Sequence, residues 1–380
     1  MFKIAFVTTN DGHPWGGCDE LWYHTACLLL KDNHQVAVSI KDWHPMPRQI
    51  ETLQKDGAVI YKRNIKKKFN RLKSVINRLI PGFLKLENEN SYYRALEGFD
   101  PDLVVISQGN NVQGKDWMVA CKDKNWKYAP IVQLVSEHNW PDDTNGALLA
   151  NLYRSAEKTF FISLENLRLT EIMFATKLEN AEIVDNPLNV SFEANPIYPD
   201  HKEPYSLAYV GRLSFFHKGL DILLEVLALE KWKNRPIEVV LYGSGENKDS
   251  LEKLLQKYGI TNVKFGGFKE NVEEIWKNHQ GLICPSRIEG MPMVVVEAML
   301  CNRFCIGTKV GIIPELINDS ENGFLVRAPQ AEFLDEAMEK AWSVRDDWEK
   351  LGQAAGIKVR ERVPPQPVEN FMNLLKGLIH

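Results

Sequence analysis

Leu207-Ala-Tyr-Val-Gly211-Arg212-Leu-Ser-Phe-Phe-His-Lys218-Gly219 joins a short apolar run to a stretch of helical periodicity that continues to Glu230. Leu207–Val210 has the length and residue types of a buried strand, Gly211 permits a sharp exit from it, and a helix follows. The same β-α unit recurs in both directions. Toward the C terminus, strands are expected near Ile237–Tyr242, Val263–Phe265, Gly281–Cys284, Phe304–Thr308 and Gly323–Val326. Helices are expected near Lys218–Glu230, Lys248–Tyr258, Val272–Asn278, Met293–Leu300 and Ala331–Trp342. Toward the N terminus, strands are expected near Lys3–Thr8, Gln35–Ile40, Ala58–Tyr61, Leu103–Ser107, Ile131–Ser136, Thr159–Ile162 and Glu182–Val184. Helices there start near Asp19, Lys67, Gln113, Gly146 and Leu164. Strands alternating with helices build parallel sheets covered on both faces.

The rhythm occurs twice, and 380 residues exceed what one core usually serves. Asn186 to Glu203, punctuated by Asn-Pro, Asn-Pro and Tyr-Pro-Asp, reads as a linker. The expected division is a first domain over 1–190, a linker over 191–204 and a second domain over 205–365. Pro364, Pro365 and Pro367 break a helix, and a last helix over 366–380 has room to pack back on the first domain. With 44% apolar and 25% charged residues the composition is that of a soluble folded protein. Leu103 to Gly114, the longest stretch free of Asp, Glu, Lys and Arg, is far short of the ~20 apolar residues of a membrane span. The opening apolar run reads as a strand rather than a secretory signal, so a cytoplasmic protein is expected. Six scattered cysteines form no CxxC pair and read as free thiols, Cys27 and Cys284 as core fillers. A net charge of -4 argues against general nucleic-acid binding.

Ligands of such sheets sit at the carboxyl ends of the strands, where helix N-termini offer unpaired N–H groups. Gly16 and Gly17, after the first strand, let backbone approach a phosphate; a plain turn explains such a pair about as often. Arg212 follows the strand end at Gly211, and Lys218 stands at a helix start, where a cation opposes the dipole. An anion between them relieves that misfit, and a diphosphate suits a forked guanidinium and a mobile ammonium. Two solvated cations on a loop are the plainer reading. Glu289 and Glu297 lie seven residues apart in Pro285-Ser-Arg-Ile-Glu289-Gly-Met-Pro-Met-Val-Val-Val-Glu297-Ala-Met299. At ~1.5 Å per residue they stand roughly 10 Å apart, too far to share a proton but suited to two parts of one extended ligand. Glu289 alone reads as a dipole partner, whereas Glu297 inside an apolar run needs a partner of its own.

These features together resemble the family 4 glycosyltransferases, retaining nucleotide-sugar enzymes of the GT-B fold. The resemblance runs almost the full chain. It rests on Gly16-Gly17, Asp32-Asn-His34-Gln-Val36, Val184-Asp-Asn186-Pro187, Val210-Gly-Arg212 with Lys218-Gly219, Gly243-Ser-Gly245, Pro285-Ser286, the glutamate pair and Asn322-Gly323. It implies an α/β chain of two Rossmann-like doubly wound domains facing across a cleft. It implies a donor site formed by Gly16, Gly17, Gly211, Arg212, Lys218, Gly243, Gly290, Met291, Pro292, Met293 and Glu297. In that site Arg212 and Lys218 neutralise the donor diphosphate, Glu297 holds the ribose hydroxyls, and Glu289 with the Gly290–Met293 backbone touches the sugar. His138, after the strand ending in Val135-Ser136, is similar to a family histidine beside the reacting sugar; Asn139 replaces the usual aspartate that follows. Neither metal nor cofactor is implied. The implied activity is retaining transfer of a sugar from a nucleoside-diphosphate sugar to a saccharide or lipid-linked saccharide acceptor, in surface polysaccharide biosynthesis.

Two rivals share the donor site: a nucleotide-sugar epimerase of the same fold, and a non-catalytic protein that binds a nucleotide sugar or a membrane. Asp100-Pro-Asp102 satisfies a metal-binding Asp-x-Asp pattern but precedes its strand, away from the carboxyl ends. Residues 62–85 carry nine Lys or Arg and no Asp or Glu, with apolar residues near helical spacing. Such a helix either lies on an anionic membrane at the inner face or buries its stripe in the core.

Overall fold

The computed structural model describes residues 1–63, 91–200 and 203–379. Two parallel sheets organise it. The first holds β1 (Lys3–Thr8), β2 (Gln35–Lys41), β3 (Val59–Arg63), β4 (Leu103–Gln108), β5 (Tyr128–Val132), β6 (Thr159–Phe161) and β7 (Ala181–Ile183), in the order β3-β2-β1-β4-β5-β6-β7. The second holds β8 (Tyr205–Val210), β9 (Ile237–Tyr242), β10 (Val263–Gly267), β11 (Gly281–Cys284), β12 (Phe304–Thr308) and β13 (Gly323–Val326), in the order β10-β9-β8-β11-β12-β13. Strand order reverses between β1 and β4 and again between β8 and β11. A doubly wound sheet opens its ligand crevice at such a point, outside the strand ends. The strands at the reversals are buried on both faces: Ile4, Ala5, Phe6 and Val7 of β1 are fully enclosed, as are Leu207 and Ala208 of β8.

Several elements depart from the sequence expectation for visible reasons. β5 starts three and ends four residues earlier than Ile131–Ser136, because the backbone leaves the sheet at Gln133, whose carbonyl faces Gly290 of the second domain. The helix expected over Lys218–Glu230 is three pieces, Phe215–Lys218, Leu220–Leu227 and Glu230–Lys233. Gly219 divides the first two at φ 62°, and a Cβ there would stand 2.0 Å from the Pro285 carbonyl oxygen. The Trp348–Arg362 helix, which ends just before the prolines, has no range assigned in the sequence reading, since half of its buried face is Gly352, Ala355 and Gly356. Those small residues let it lie against the Asn302 backbone. Cys284 is buried as expected, but Cys27 is only half-buried. The helix expected near Lys67 and the basic residues 64–85 lie outside the described residues. No helix among the described residues is long and apolar enough to cross a membrane.

The sheets are tied together by the returning C terminus. The Pro367–Ile379 helix packs on the Gly17–Lys31 helix of the first domain, with Lys376 Nζ 2.7 Å from Asp32 Oδ2 and the Phe371 ring edge-on to Phe160. Arg362, ending the preceding helix, donates from Nη1 to Asp185 (2.9 Å) and from Nε to Glu315 (3.0 Å). Glu315 also accepts the backbone N–H of Leu164 in the first domain, at 2.8 Å. Both carboxylates are largely enclosed, so removing their cation leaves two uncompensated charges. Arg362→Met should cost about 3 kcal/mol and lower the thermal midpoint, and adding Asp185→Asn with Glu315→Gln should recover part of the loss. An unchanged midpoint in Arg362→Met would assign the latch no stabilising role.

Candidate functional site

A cleft of about 590 Å³ opens where the two sets of strand ends face each other. Gly16 and Gly17 line it from the first domain, and Gly211, Arg212, Lys218, Gly243, Pro292, Met293 and Glu297 from the second. Tyr242, Ser244, Phe268, Lys269 and Val272 complete the wall beside β9 and β10. Nine candidate residues from distant parts of the chain thus share one cavity. Glu289, Gly290, Met291 and His138 lie around it rather than in its lining.

Close approach dictates Gly243 and Gly290, but not Gly16 and Gly17. Gly16 caps the Gly17–Lys31 helix, its N–H held by Asp19 Oδ2 at 3.0 Å, and Gly17 has open space where a Cβ would project. The open space at Gly17 leaves the helix start facing the cleft, although the Asp19 N–H is taken by the Gly16 carbonyl at 2.9 Å. Burial pushes the Asp19 carboxyl up to about 6, against hydrogen bonds from Trp22, Cys18 and Gly16 that favour its charged form. In the second domain β8 and β9 end side by side: Gly211 N donates to Tyr242 O at 3.0 Å. A Cβ on Gly243, at φ 127°, would lie 2.0 Å from the Gly211 carbonyl.

The charged residues fall into two linked sets. Lys218 Nζ is 2.5 Å from Glu289 Oε1, which also accepts from Ser286 Oγ at 2.7 Å. Burial alone would lower the Lys218 pKa, but the Glu289 charge and hydrogen bond outweigh it and hold the ammonium above the ordinary lysine value. Arg212 is exposed, with Nη1 3.1 Å from His13 Nε2 across the cleft. Glu297 is 4% exposed on the Met293–Leu300 helix and accepts from Asn189 Nδ2 at 2.7 Å. Desolvation raises its pKa and the Asn189 bond opposes that.

His138 stands in the Glu137–Asn139 turn after β5, where Ser136 Oγ caps the turn and contacts His138 Nδ1 at 3.0 Å. Its ring meets Phe216 of the second domain edge-on, 5.8 Å between centroids, two residues before Lys218. Asp102 receives the Lys3 N–H at 2.8 Å at the opposite, amino end of the first sheet. Asp100-Pro-Asp102 is therefore a strand-start element. Three site residues escaped the sequence reading: Asn189 and His13 in loops without periodicity, and Ser286, quoted only as part of a Pro-Ser pair.

Residues 192–357 match the model for glycosyl transferases group 1. These residues form a group 1 glycosyltransferase domain. An uncharacterized glycosyltransferase of Methanocaldococcus jannaschii is 32% identical over 110 residues, 28% of this chain and 30% of the relative. The poly(ribitol-phosphate) alpha-N-acetylglucosaminyltransferase of Staphylococcus aureus is 26% identical over 202 residues, 50% of this chain and 39% of the relative. The alignments thus span well under half of these relatives' own length. The Anabaena HepE structure, solved with UDP and glucose, superposes at a TM-score of 0.72 with 16% identity, covering 99% of this chain and 100% of HepE. The fold is GT-B, two α/β domains of Rossmann type.

The raised Glu297 pKa has a consequence for the unliganded protein. The folded state holds that proton more tightly than the unfolded chain, so this contribution to stability is complete below the ordinary glutamate range and is lost as pH rises through the raised value. Glu297→Gln keeps an acceptor for Asn189 and carries no charge to desolvate. Its thermal midpoint should exceed that of the wild type by more at pH 8 than at pH 4. An equal difference at both pH values would mean Glu297 is not destabilised by its burial.

Proposed function

We propose that the chain is a retaining, metal-independent glycosyltransferase that moves a sugar from a nucleoside-diphosphate sugar to a saccharide or lipid-linked saccharide acceptor in surface polysaccharide biosynthesis. The observation that carries this reading is the cleft, which gathers Arg212, Lys218, a glycine-capped helix start and the buried Glu297 within one cavity. A diphosphate is the anion that matches two cations and free helix N–H groups, and the ribose is the neutral polyol that matches a buried carboxylate. UDP in HepE, a neighbour of the same fold, supports the donor class.

In this reading the diphosphate lies between Arg212, Lys218 and the Gly16-Gly17 backbone, Glu297 accepts from the ribose hydroxyls, and Glu289 and the Gly290–Met293 backbone contact the sugar. The first domain presents the acceptor beside His138. As the glycosidic C–O bond breaks, positive charge grows on the sugar and negative charge on the departing diphosphate. Cations and helix N–H groups already aimed at the diphosphate stabilise that state without reorganising. The acceptor oxygen attacks from the face the leaving group departs, and its proton passes to the departing phosphate, so the anomeric configuration is kept.

A thermal-shift screen of UDP, GDP, ADP and their sugars finds the donor, since a ligand at 100 times its dissociation constant stabilises by roughly 2.7 kcal/mol. Turnover should then persist in EDTA and yield a product with the donor's anomeric configuration. Loss in EDTA restored by magnesium or manganese would overturn metal independence. The glutamates should fail differently. Glu297→Gln should weaken nucleoside-diphosphate binding about tenfold with a smaller effect on saturating turnover. Glu289→Gln should lower saturating turnover by roughly tenfold or more while leaving nucleoside-diphosphate affinity no weaker, because it also frees Lys218. The reverse pattern would reverse the donor's orientation.

A further inference from the structure

His13 stands three residues before Gly16 in the loop that follows β1, and the donor placement given above assigns it no role. A guanidinium has no lone pair, so in the 3.1 Å contact Arg212 donates and His13 Nε2 accepts, which puts the imidazole proton on Nδ1 and leaves the ring neutral. Among the described residues this is the only hydrogen bond the Arg212 side chain makes. The backbone of Arg212 is held separately, its carbonyl accepting from Tyr209 OH (2.6 Å) and Ser214 N (2.8 Å). The base of the side chain is thus fixed by the second domain, and the direction of its charged end by a residue of the first.

We propose that His13 is a positioning residue that holds the Arg212 guanidinium over the cleft, toward the donor diphosphate, without neutralising it. The inference rests on the donor placement given above. A carboxylate would hold an arginine more strongly, but it would also cancel its charge, as Glu289 does for Lys218. A neutral imidazole fixes the guanidinium and leaves its full charge to the ligand. The exposed Glu246 is near enough to feel that charge but makes no hydrogen bond to it, so solvent screens the pair. An exposed arginine samples many rotamers, and a side chain already held loses less of that freedom when the ligand arrives. The bond also spans the two domains, so it makes the strength of diphosphate binding depend on how they face each other.

The test compares the nucleoside diphosphate chosen by the thermal-shift screen with its uncharged nucleoside, by calorimetry on the full chain. His13→Ala should weaken diphosphate binding roughly fivefold to tenfold and leave nucleoside binding unchanged. His13→Gln, which keeps a neutral acceptor, should restore most of the loss, whereas His13→Glu should not, because it adds a charge that repels the ligand. In an Arg212→Ala background, His13→Ala should cause no further loss. If Arg212→Ala weakens the diphosphate and His13→Ala does not, Arg212 needs no positioning and the proposal fails alone. If Arg212→Ala itself has no effect, the donor placement fails with it. Binding by His13→Glu as tight as by His13→Gln would overturn the requirement for a neutral partner.

Discussion

Between Gln133 of the first domain and Gly290 of the second there is no room for a side chain. A Cβ at Gly290 would stand 1.9 Å from the Gln133 carbonyl oxygen, so the domains meet there backbone to backbone. Gly290 is held from its other side as well, its carbonyl accepting from Ile312 N at 2.9 Å and lying where a Cβ on Gly311 would be 2.2 Å away. The loop that carries Glu289 is therefore clamped one residue beyond that carboxylate. Gln133 lies five residues before His138, so the same contact sets how close the two halves of the candidate site come. Any larger residue at 290 must push the halves apart, and the ion pair of Lys218 with Glu289 would move with its loop.

Within this frame, the partners of the charged groups separate scaffold from site. Arg303 is fully buried, yet its guanidinium is spent on the backbone carbonyls of Trp276, His279, Cys301 and Ile197. Arg360 likewise binds the carbonyls of Phe192, Ala194, Leu300 and Gly356. Such arginines satisfy loop and helix-end acceptors that no ligand can reach. The cations of the cleft are held by side chains instead, Lys218 by a carboxylate and Arg212 by an imidazole, and both line the cavity. Glu297 also carries a cost: it is enclosed with an asparagine rather than a cation beside it, an arrangement that a core selected for stability alone would not keep.

The strands and glycine turns were legible because their signals are local. Short Val- and Ile-rich runs ended by Gly211, Gly243 or Pro285 marked the strand ends, and β9, β11, β12 and β13 fall at the expected residues. What escaped was set by tertiary contact. Nothing near Gln133 in the chain announces that its carbonyl must meet a glycine more than a hundred residues away, so the end of β5 was misplaced. The Trp348–Arg362 helix hid because close packing on the Asn302 backbone selects glycine and alanine, residues that carry little hydrophobic periodicity. Of the candidate site, Gly16, Gly17, Gly211, both cations and both glutamates could be singled out from residue type and spacing, and Gly243 and Gly290 only from the family resemblance. Their partners could not, because Asn189 and His13 lie in loops whose only signal is the side chain they meet across the fold.

The crossing segment explains why these partners come from where they do. Asp185 is held by Arg362, the Asn186 side chain pairs with the Gln133 amide at 3.0 and 3.2 Å, and the Asn186 N–H points at Met291 Sδ. Three residues later Asn189 reaches Glu297. A strip of five residues thus touches the C-terminal return, the exit of β5, the glutamate loop and the buried carboxylate in turn. This strip is bonded to both domains and to the C-terminal return. The hydrogen bond at Glu297 and the contact at Gly290 are then not independent features of the cleft, since both hang from the same short piece of backbone, and domain orientation is read directly at the carboxylate.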